Sequence, residues 1–381
     1  MDAVTAVARA KDVAEQTLAP DAAGCDKEGR FSRGAITALG QAGLLGLTAP
    51  LDAGGAGLGA RAFADTTAAL AEADASVAMV FLMHVLGAVT IAAAPPTPEL
   101  RQVLAEIAAG QHLTTLAFSE PGSRSHFWAP VSRAVNVDGA VELTARKSWV
   151  TSAGCADSYV VSTLSPEAAA PVDSTLYLVP ARTPGLAVVG EWDGLGLRAN
   201  ASAPMSLDRC RIPSAFRLTP EGAGFRAMLD TVLPWFNVGS AAVALGICRA
   251  SVKATAAHLT NARFEHLNTT IGEALPTLRA QLAAMQIETT GLAARLDHTL
   301  ASLEHPNGET MLRVLELKAA AGEAAVEVTS AGMRACGGAA FSKHLSVERN
   351  FRDAHAGAVM GPTADVLREF IGRALLGLPL F

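Results

Sequence analysis

Apolar and polar residues follow three successive patterns along this chain of 381 residues. Residues 1–112 show the three- and four-residue apolar spacing of amphipathic helices, and residues 113–221 show the alternation and β-branched runs typical of strands. Residues 222–381 return to helical spacing, most clearly at Leu278, Leu282, Met285, Leu292, Leu296, Leu300 and Leu303. The predicted fold is therefore α+β and mostly α, with a helical domain, a β domain and a second helical domain. This order excludes an alternating βαβ dinucleotide-binding fold.

One helical segment, residues 77–94, is almost wholly apolar and is long enough to span a bilayer. However, His84 lies at its middle, small residues are frequent, and no basic cluster marks either end. A helix that is apolar on every side is also typical of a protein interior. We therefore predict that this helix is buried at the centre of a globular domain.

Composition narrows the expected partners and compartment. The net charge is −6, so neither nucleic acid nor an anionic membrane surface is an expected partner, and the burial predicted for residues 77–94 means that no membrane insertion is expected. The five cysteines are scattered without a C-x-x-C, and the histidines show no metal-ligand spacing, so neither disulfides nor a metal site is predicted. Residues 1–20 are too polar for a signal peptide. These features favour a cytoplasmic protein.

Two segments of the β domain carry candidate chemistry. Residues 119–122 (SEPG) predict a turn at a strand end, with backbone N–H groups and small side chains that can face an aromatic cofactor ring. Residues 147–153 (KSWVTSA) place Trp149 and Thr151 two apart on a predicted strand, so both side chains should point to one face. Taken singly, the first is also compatible with an ordinary turn and the second with a core tryptophan.

The C-terminal segment 334–373 adds four recognisable pieces: Gly337-Gly338, Glu348-Arg349, Arg352-Asp353-Ala354 and Thr363. Together with the two β segments, they resemble the acyl-CoA dehydrogenase family over essentially the whole chain. The resemblance implies an N-terminal helical domain, a central β-barrel-like domain and a C-terminal four-helix bundle. It also implies FAD as cofactor, an acyl-CoA or acyl-carrier-protein substrate, and a homodimer or homotetramer whose subunits share each FAD site.

The resemblance assigns the flavin ring to the β domain. The implied ring-binding residues are Leu116, Phe118, Ser119, Ser125, Trp149 and Thr151. Among these, Trp149 should shield the side of the isoalloxazine, and Thr151 should hydrogen-bond its N5.

For the rest of FAD, the family uses R-x-T-F-G and Q-x-x-G-G-x-G segments of a second subunit. The matching residues are Asn268, Thr270, Ile271, Arg334, Gly337 and Gly338, with Thr363 and Asp365 on the adenine side. Asn268 replaces the family's arginine, and Arg334 replaces its glutamine. Because an anionic pyrophosphate favours a cation, we hypothesise that Arg334 supplies the charge lost at position 268.

The base that the resemblance leads one to expect is missing. The family removes an α-proton with a carboxylate, placed either two residues before the threonine or in the first helix after the β domain. Here these positions are Gly361 and Phe236, and neither side chain can accept a proton. The sequence therefore assigns no catalytic residue. The other acid–base candidates are His84 and His126, which are weak, together with Glu120 and His355.

The implied substrate pocket also departs from the family. Pro234 and Asn237 replace residues that usually contact coenzyme A, so that residues 234–237 predict an apolar, neutral wall. The helix that carries His84 lines the acyl pocket by resemblance. The full implied lining is His84, Ser125, Trp235, Phe236, Asn237 and Gly361.

Four functions agree with these features. The first is an FAD-dependent dehydrogenase of a short or medium acyl thioester, bound to coenzyme A or a carrier protein, with a non-standard base. The second is a base-independent elimination that releases sulfinate from an acyl-CoA. The third is a flavin oxidase or monooxygenase of the same fold. The fourth is a non-catalytic scaffold, which the retained Trp149 and Thr151 disfavour.

Overall fold

The N-terminal part is built of helices, as its apolar spacing predicts. The computed structural model describes residues 1–123 and 126–379. Its first helices are α1 (Ala3–Val13), α2 (Ala19–Glu28), α3 (Arg33–Gln41), α4 (Ala60–Ala71), α5 (Ala75–Ala92) and α6 (Pro98–Ala108). Asp74 caps α5, because its carboxylate accepts hydrogen bonds from the N–H groups of Ser76 and Val77.

Helix α5 is the apolar segment that the sequence singles out, and it is buried. It packs against α4 and against the first strand of the β domain. Two helical stretches, Ala75–Ala92 and Gly224–Asn261, are long and apolar enough to cross a membrane by length and composition, but 83% of each such window is buried inside the protein. Both are therefore core helices of this fold.

The middle part consists of two sheets. The strands are β1 (Thr114–Ala117), β2 (Ala134–Val137), β3 (Ala140–Val150), β4 (Ser158–Leu164), β5 (Ser174–Pro180), β6 (Leu186–Val188) and β7 (Ala203–Pro213). One sheet has the order β1-β4-β5, with β1 parallel to β4, and the other has the order β2-β3-β7-β6. Strand β1 also contacts β3, which brings the ends of the two sheets together beside α5.

The C-terminal part is a helical bundle. Its elements are α7 (Gly224–Ala227), α8 (Leu233–Asn261), β8 (Arg263–Phe264), β9 (Thr269–Thr270), α9 (Ile271–Ala274), α10 (Pro276–Glu304), α11 (Thr310–Phe341), α12 (Val347–Val359) and α13 (Ala364–Leu375). Helix α11 packs against α8, α10, α12 and α13, and α8 also packs against α4 and α5. The predicted fold class and the order of helical, β and helical parts are confirmed.

Candidate active site

A cleft of about 1120 Å³ lies where the three parts of the chain meet. The β domain contributes the turn after β1 and the end of β3, and the helices contribute residues of α5, α8 and α12 and of the segment after α12. Of the predicted site residues, the cleft brings together Leu116, Phe118, Ser119, Trp149, Thr151, Phe236, Gly361 and Thr363. These include most of the predicted flavin-ring residues and both positions of the missing base.

A buried ion pair holds the turn after β1 in place. The Lys147 ammonium lies 2.6 Å from a carboxylate oxygen of Glu120, and it also donates to the carbonyls of Phe118 and Ser162. Glu120 accepts further hydrogen bonds from the backbone of Val131 and from Ser132. Burial by itself would raise the pKa of Glu120, but the ammonium and the hydrogen bonds outweigh it and keep that pKa below its usual range. Glu120 is therefore a structural carboxylate, as the turn position suggests.

Trp149 reaches the cleft through a bulge in β3. Lys147 pairs with Met205 and Val150 with Ala203, so β3 carries one extra residue between these pairs. Trp149 has a φ of 56°, a left-handed conformation rare for a bulky side chain, and 68% of its surface is exposed. The prediction that Trp149 and Thr151 lie two apart on one regular strand and so share a face by alternation is wrong, because β3 ends at Val150. Both side chains nevertheless line the cleft.

The two positions where the resemblance places the family base lie on the same wall, in front of a buried lysine. Phe236 and Gly361 both line the cleft. Behind them, the Lys318 ammonium donates to the carbonyls of Met360 (3.1 Å) and Pro362 (2.7 Å), on either side of Gly361. It lies 5.7 Å from the centre of the Phe236 ring. Burial lowers the pKa of Lys318 to about 8.

The predicted wall of residues 234–237 is corrected, because consecutive helical residues point about 100° apart. Phe236 faces the cleft, whereas Trp235 packs against Phe63 with ring centres 5.4 Å apart. Asn237 is fully buried and donates to the carbonyl of Val314 in α11. Trp235 and Asn237 therefore do not line the cleft.

The structure also corrects the position of His84. Its ring is fully buried behind the cleft, with Nε2 at 2.8 Å from the Leu45 carbonyl and Nδ1 accepting from the N–H of Thr114. Burial lowers its pKa to about 4, so it stays neutral and serves packing. His126 is exposed beside Trp128 and does not line the cleft. Ser125, predicted to contact both cofactor and substrate, lies outside the described residues.

The residues assigned to the FAD tail lie away from the cleft of their own chain, except Thr363. Asn268, Thr270 and Ile271 belong to the β8–β9 hairpin and the start of α9. Arg334, Gly337 and Gly338 are exposed on α11, whose helical path breaks at Gly337 (φ 54°, ψ −132°). Asp365 is exposed in the first turn of α13. This separation is what the resemblance implies for a site shared between two subunits.

Two neighbouring residues of α12 join all three parts of the chain at the rim of the cleft. Arg352 pairs with Asp26 of α2 and with Glu348, and it donates to the carbonyl of Leu195. Asp353 accepts from the N–H of Leu197 at 2.6 Å, and burial raises its pKa to about 7. Gly196 fits between them because a Cβ there would come within 2.4 Å of the Arg352 carbonyl oxygen.

Comparison with known proteins decides the family. Models of the N-terminal, middle and C-terminal domains of acyl-CoA dehydrogenases match residues 3–111, 115–210 and 222–376. The chain belongs to the acyl-CoA dehydrogenase family. Among its relatives, the mitochondrial short-chain specific acyl-CoA dehydrogenase of Bos taurus is 29% identical over 373 residues, which cover 96% of this chain and 88% of that protein.

Solved structures share the fold. Butyryl-CoA dehydrogenase from Megasphaera elsdenii aligns with a TM-score of 0.91 at 23% identity, over 99% of this chain and 100% of the other. A prolyl acyl carrier protein oxidase aligns with a TM-score of 0.87 at 20% identity, over 98% of each chain. These structures show the fold, whereas membership of the family makes the chain an FAD-dependent oxidoreductase of the acyl-CoA dehydrogenase type.

The cleft of this family member suits the flavin ring of FAD. The exposed Trp149 indole provides an aromatic face, and the Ser119 and Thr151 hydroxyls lie on the same lining. Thr151 Oγ1 is 3.1 Å from Ser202 Oγ, and since either oxygen can donate, that hydroxyl keeps a second hydrogen-bonding role for a ligand. When bound, FAD supplies a hydride acceptor.

Sequence reasoning missed two features of the cleft. Lys318 lies in the segment 315–325, which mixes small and apolar residues with Glu316 and Glu323 and gives no sign that the lysine ammonium reaches the chain after α12. His355 was named among four acid–base candidates with no argument for its position, and only the structure shows that it lines the cleft. Its sequence spacing from Gly361 gave no signal, because α12 ends at Val359 and the helical period does not describe the path of the chain beyond that point.

Proposed function

We propose that this family member dehydrogenates a short or medium acyl thioester carried on an acyl carrier protein, using a proton acceptor other than the family's carboxylate. The observation that carries the proposal is the shared lining of one cleft. The flavin-facing Trp149 and Thr151 and the vacated positions Phe236 and Gly361 all border the same space. A flavin face is thus retained while the usual base is absent.

The residues of the cleft have separate tasks in this function. Trp149 and Thr151 orient the ring, and the turn anchored by the Glu120–Lys147 pair borders it. Apolar side chains, among them Met79, Met83 and Phe236, surround the acyl chain and exclude water. Substrate and flavin are in this way held against each other in a dry, preorganised space.

Two findings support a carrier-bound substrate. Asn237, at a position that usually contacts coenzyme A, points into the bundle and cannot reach a nucleotide in the cleft. In addition, a structural neighbour is named as an oxidase of a prolyl acyl carrier protein. We further propose that the protein is cytoplasmic and forms a homo-oligomer that completes each FAD site.

A base-independent elimination, which releases sulfinate, is the second candidate. One observation favours it: among the described lining residues the only carboxylate is Glu120, and that carboxylate is already paired with Lys147, so it is not free to accept a proton. That chemistry needs no proton acceptor and leaves the flavin oxidised.

An anaerobic titration separates these functions. Holoenzyme is mixed with matched acyl-CoA, acyl-carrier-protein and sulfino-acyl-CoA substrates while the flavin absorbance is recorded. We expect the flavin band to bleach with the carrier-bound acyl group at lower concentration than with the coenzyme A ester. Sulfite release without bleaching would instead establish elimination. Peroxide after admission of air would establish an oxidase, and no response to any thioester would refute the proposal.

A further inference from the structure

His355 is the histidine that the fold brings into the cleft. It lies on the last two turns of α12, and it lines the cleft together with Ala356 and Val359 of the same helix. The helix ends at Val359, and the chain continues directly into Gly361, which lines the same wall. The imidazole therefore shares the wall from which the family's usual carboxylate is missing.

A hydrogen bond to the backbone determines which ring nitrogen of His355 can accept a proton. Nδ1 lies 2.7 Å from the carbonyl oxygen of Phe351, one turn earlier. Because a carbonyl oxygen only accepts, Nδ1 must carry a hydrogen, and in the neutral ring Nε2 then holds the lone pair. The Phe351 ring packs edge-on against the imidazole, with centres 4.6 Å apart, and fixes its orientation.

The other ionisable side chains of the described lining are already engaged. Glu120 is bound to Lys147, and Arg352 is bound to Asp26 and Glu348. Within the described part of the chain, His355 Nε2 has no hydrogen-bond partner. Lys318 stands behind Phe236, outside the lining, with its ammonium donating to two carbonyls.

We propose that His355 is the proton acceptor of this active site. Its Nε2 removes the α-proton of the bound thioester: the Cα–H bond breaks, an Nε2–H bond forms, and the electron pair stays on the substrate as the thioester enolate. The imidazole thereby becomes imidazolium, so charge is conserved. This inference rests on the proposed function, because it assumes an acyl thioester in the cleft.

Proton exchange tests this step without any flavin reduction. The probe is a 3-thia-acyl pantetheine thioester, whose α-protons are acidic and whose β-position is sulfur and gives no hydride. Holoenzyme is incubated with the probe in D2O, and deuterium uptake is followed by mass spectrometry. We compare wild type, His355→Gln and, as a matched control, His298→Gln on the exposed face of α10.

We expect His355→Gln to slow α-exchange by about 100-fold or more, the usual contribution of a positioned base. His298→Gln should exchange at the wild-type rate. All three proteins should retain bound FAD and the same far-UV circular dichroism. A His355→Gln protein that binds FAD and exchanges as fast as wild type would overturn the assignment.

A second variant distinguishes a lost base from a damaged cleft. Gly361→Glu is added to His355→Gln, which puts a carboxylate at the position that the resemblance assigns to the family base. Restored exchange in the double variant shows that His355→Gln lost only a proton acceptor. A double variant that holds FAD and stays inactive shows that the glutamine had deformed the cleft, which also overturns the assignment.

The failure of this inference is distinguishable from failure of the proposed function. Wild type that exchanges the probe but is not bleached by an oxidisable thioester refutes dehydrogenation and leaves His355 as the base. If an oxidisable thioester bleaches the flavin of wild type and of His355→Gln at equal rates, His355 is not the proton acceptor, and the proposed dehydrogenation still stands. Wild type that does neither refutes both.

Discussion

At the scale of single residues, the sequence shows that the family's base is missing, but it does not show that a buried ammonium lies behind the vacated positions. Gly361 and Phe236 are recognisable from the sequence as positions without a base. The ammonium behind them is not, because Lys318 in its helical segment has the appearance of any solvated lysine. Within the described residues, no carboxylate forms an ion pair with it, so its charge is stabilised mainly by the two carbonyls beside Gly361.

Lys318 gives stability a pH dependence whose sign follows from its pKa. Burial lowers that pKa from 10.5 to about 8. Between pH 8 and 10.5 the unfolded chain therefore binds more protons than the folded one, so the free energy of unfolding rises with pH. For this group the rise from pH 8 to pH 10 is about 2 kcal/mol. We expect Lys318→Met to lose this increment in urea unfolding followed by circular dichroism.

The matched control is Lys253→Met, at an exposed position of α8. It should keep the wild-type dependence of stability on pH. If Lys318→Met and wild type gained equally between pH 8 and pH 10, the lowered pKa of Lys318 would be refuted.

At the scale of elements, periodicity predicted the order of helices and strands because it records which face is buried. Periodicity could not predict the bulge that turns Trp149 outward, because one extra residue in β3 does not visibly change the spacing of apolar residues. It likewise treated residues 234–237 as one wall, although rotation along α8 sends Trp235 and Asn237 in other directions. Packing between elements, which sequence periodicity does not contain, decided both points.

The Glu120–Lys147 pair makes the turn after β1 depend on β3. Lys147→Met should leave the Glu120 carboxylate buried without its cation, which typically costs 3–5 kcal/mol, so about 3–5 kcal/mol of unfolding free energy should be lost. The turn should also loosen, and FAD should bind more weakly. Urea unfolding and fluorescence titration of apoprotein with FAD measure the two effects.

The exposed pair Arg226–Asp230 provides the comparison. Arg226→Met should change stability by less than about 0.5 kcal/mol, as is usual for solvated i,i+4 pairs. Similar losses in Arg226→Met and Lys147→Met would contradict the structural role of the buried pair.

At the scale of the whole molecule, one chain holds the flavin-ring residues of the cleft but not the residues assigned to the FAD tail. Arg334 is exposed on α11, and no ion pair is formed by it in the described structure. A second cation lies near Asn268, where Arg263 donates to the Asn268 carbonyl and side-chain oxygen. The family resemblance could suggest a shared site, but not which arginine serves it, because the contact would join different subunits.

Arg334→Ala should weaken FAD binding by about 10- to 100-fold, the equivalent of one charge-assisted hydrogen bond. Titration of the apoprotein with FAD, followed by flavin fluorescence, measures the change. Arg101→Ala, at another exposed arginine, should leave the affinity unaltered. A loss in Arg263→Ala with none in Arg334→Ala would assign the pyrophosphate contact to Arg263 instead.

The junction formed by Arg352 and Asp353 has a consequence for how ligands enter. One helix ties α2, Leu195 and Leu197 together at the rim, so the three domains cannot swing apart about a hinge without breaking ion pairs and a buried hydrogen bond. We therefore expect the cleft to keep its shape between the free and bound states. The fixed size of the cleft then limits the length of the acyl chain that can bind, because the domains cannot move apart to admit a longer one.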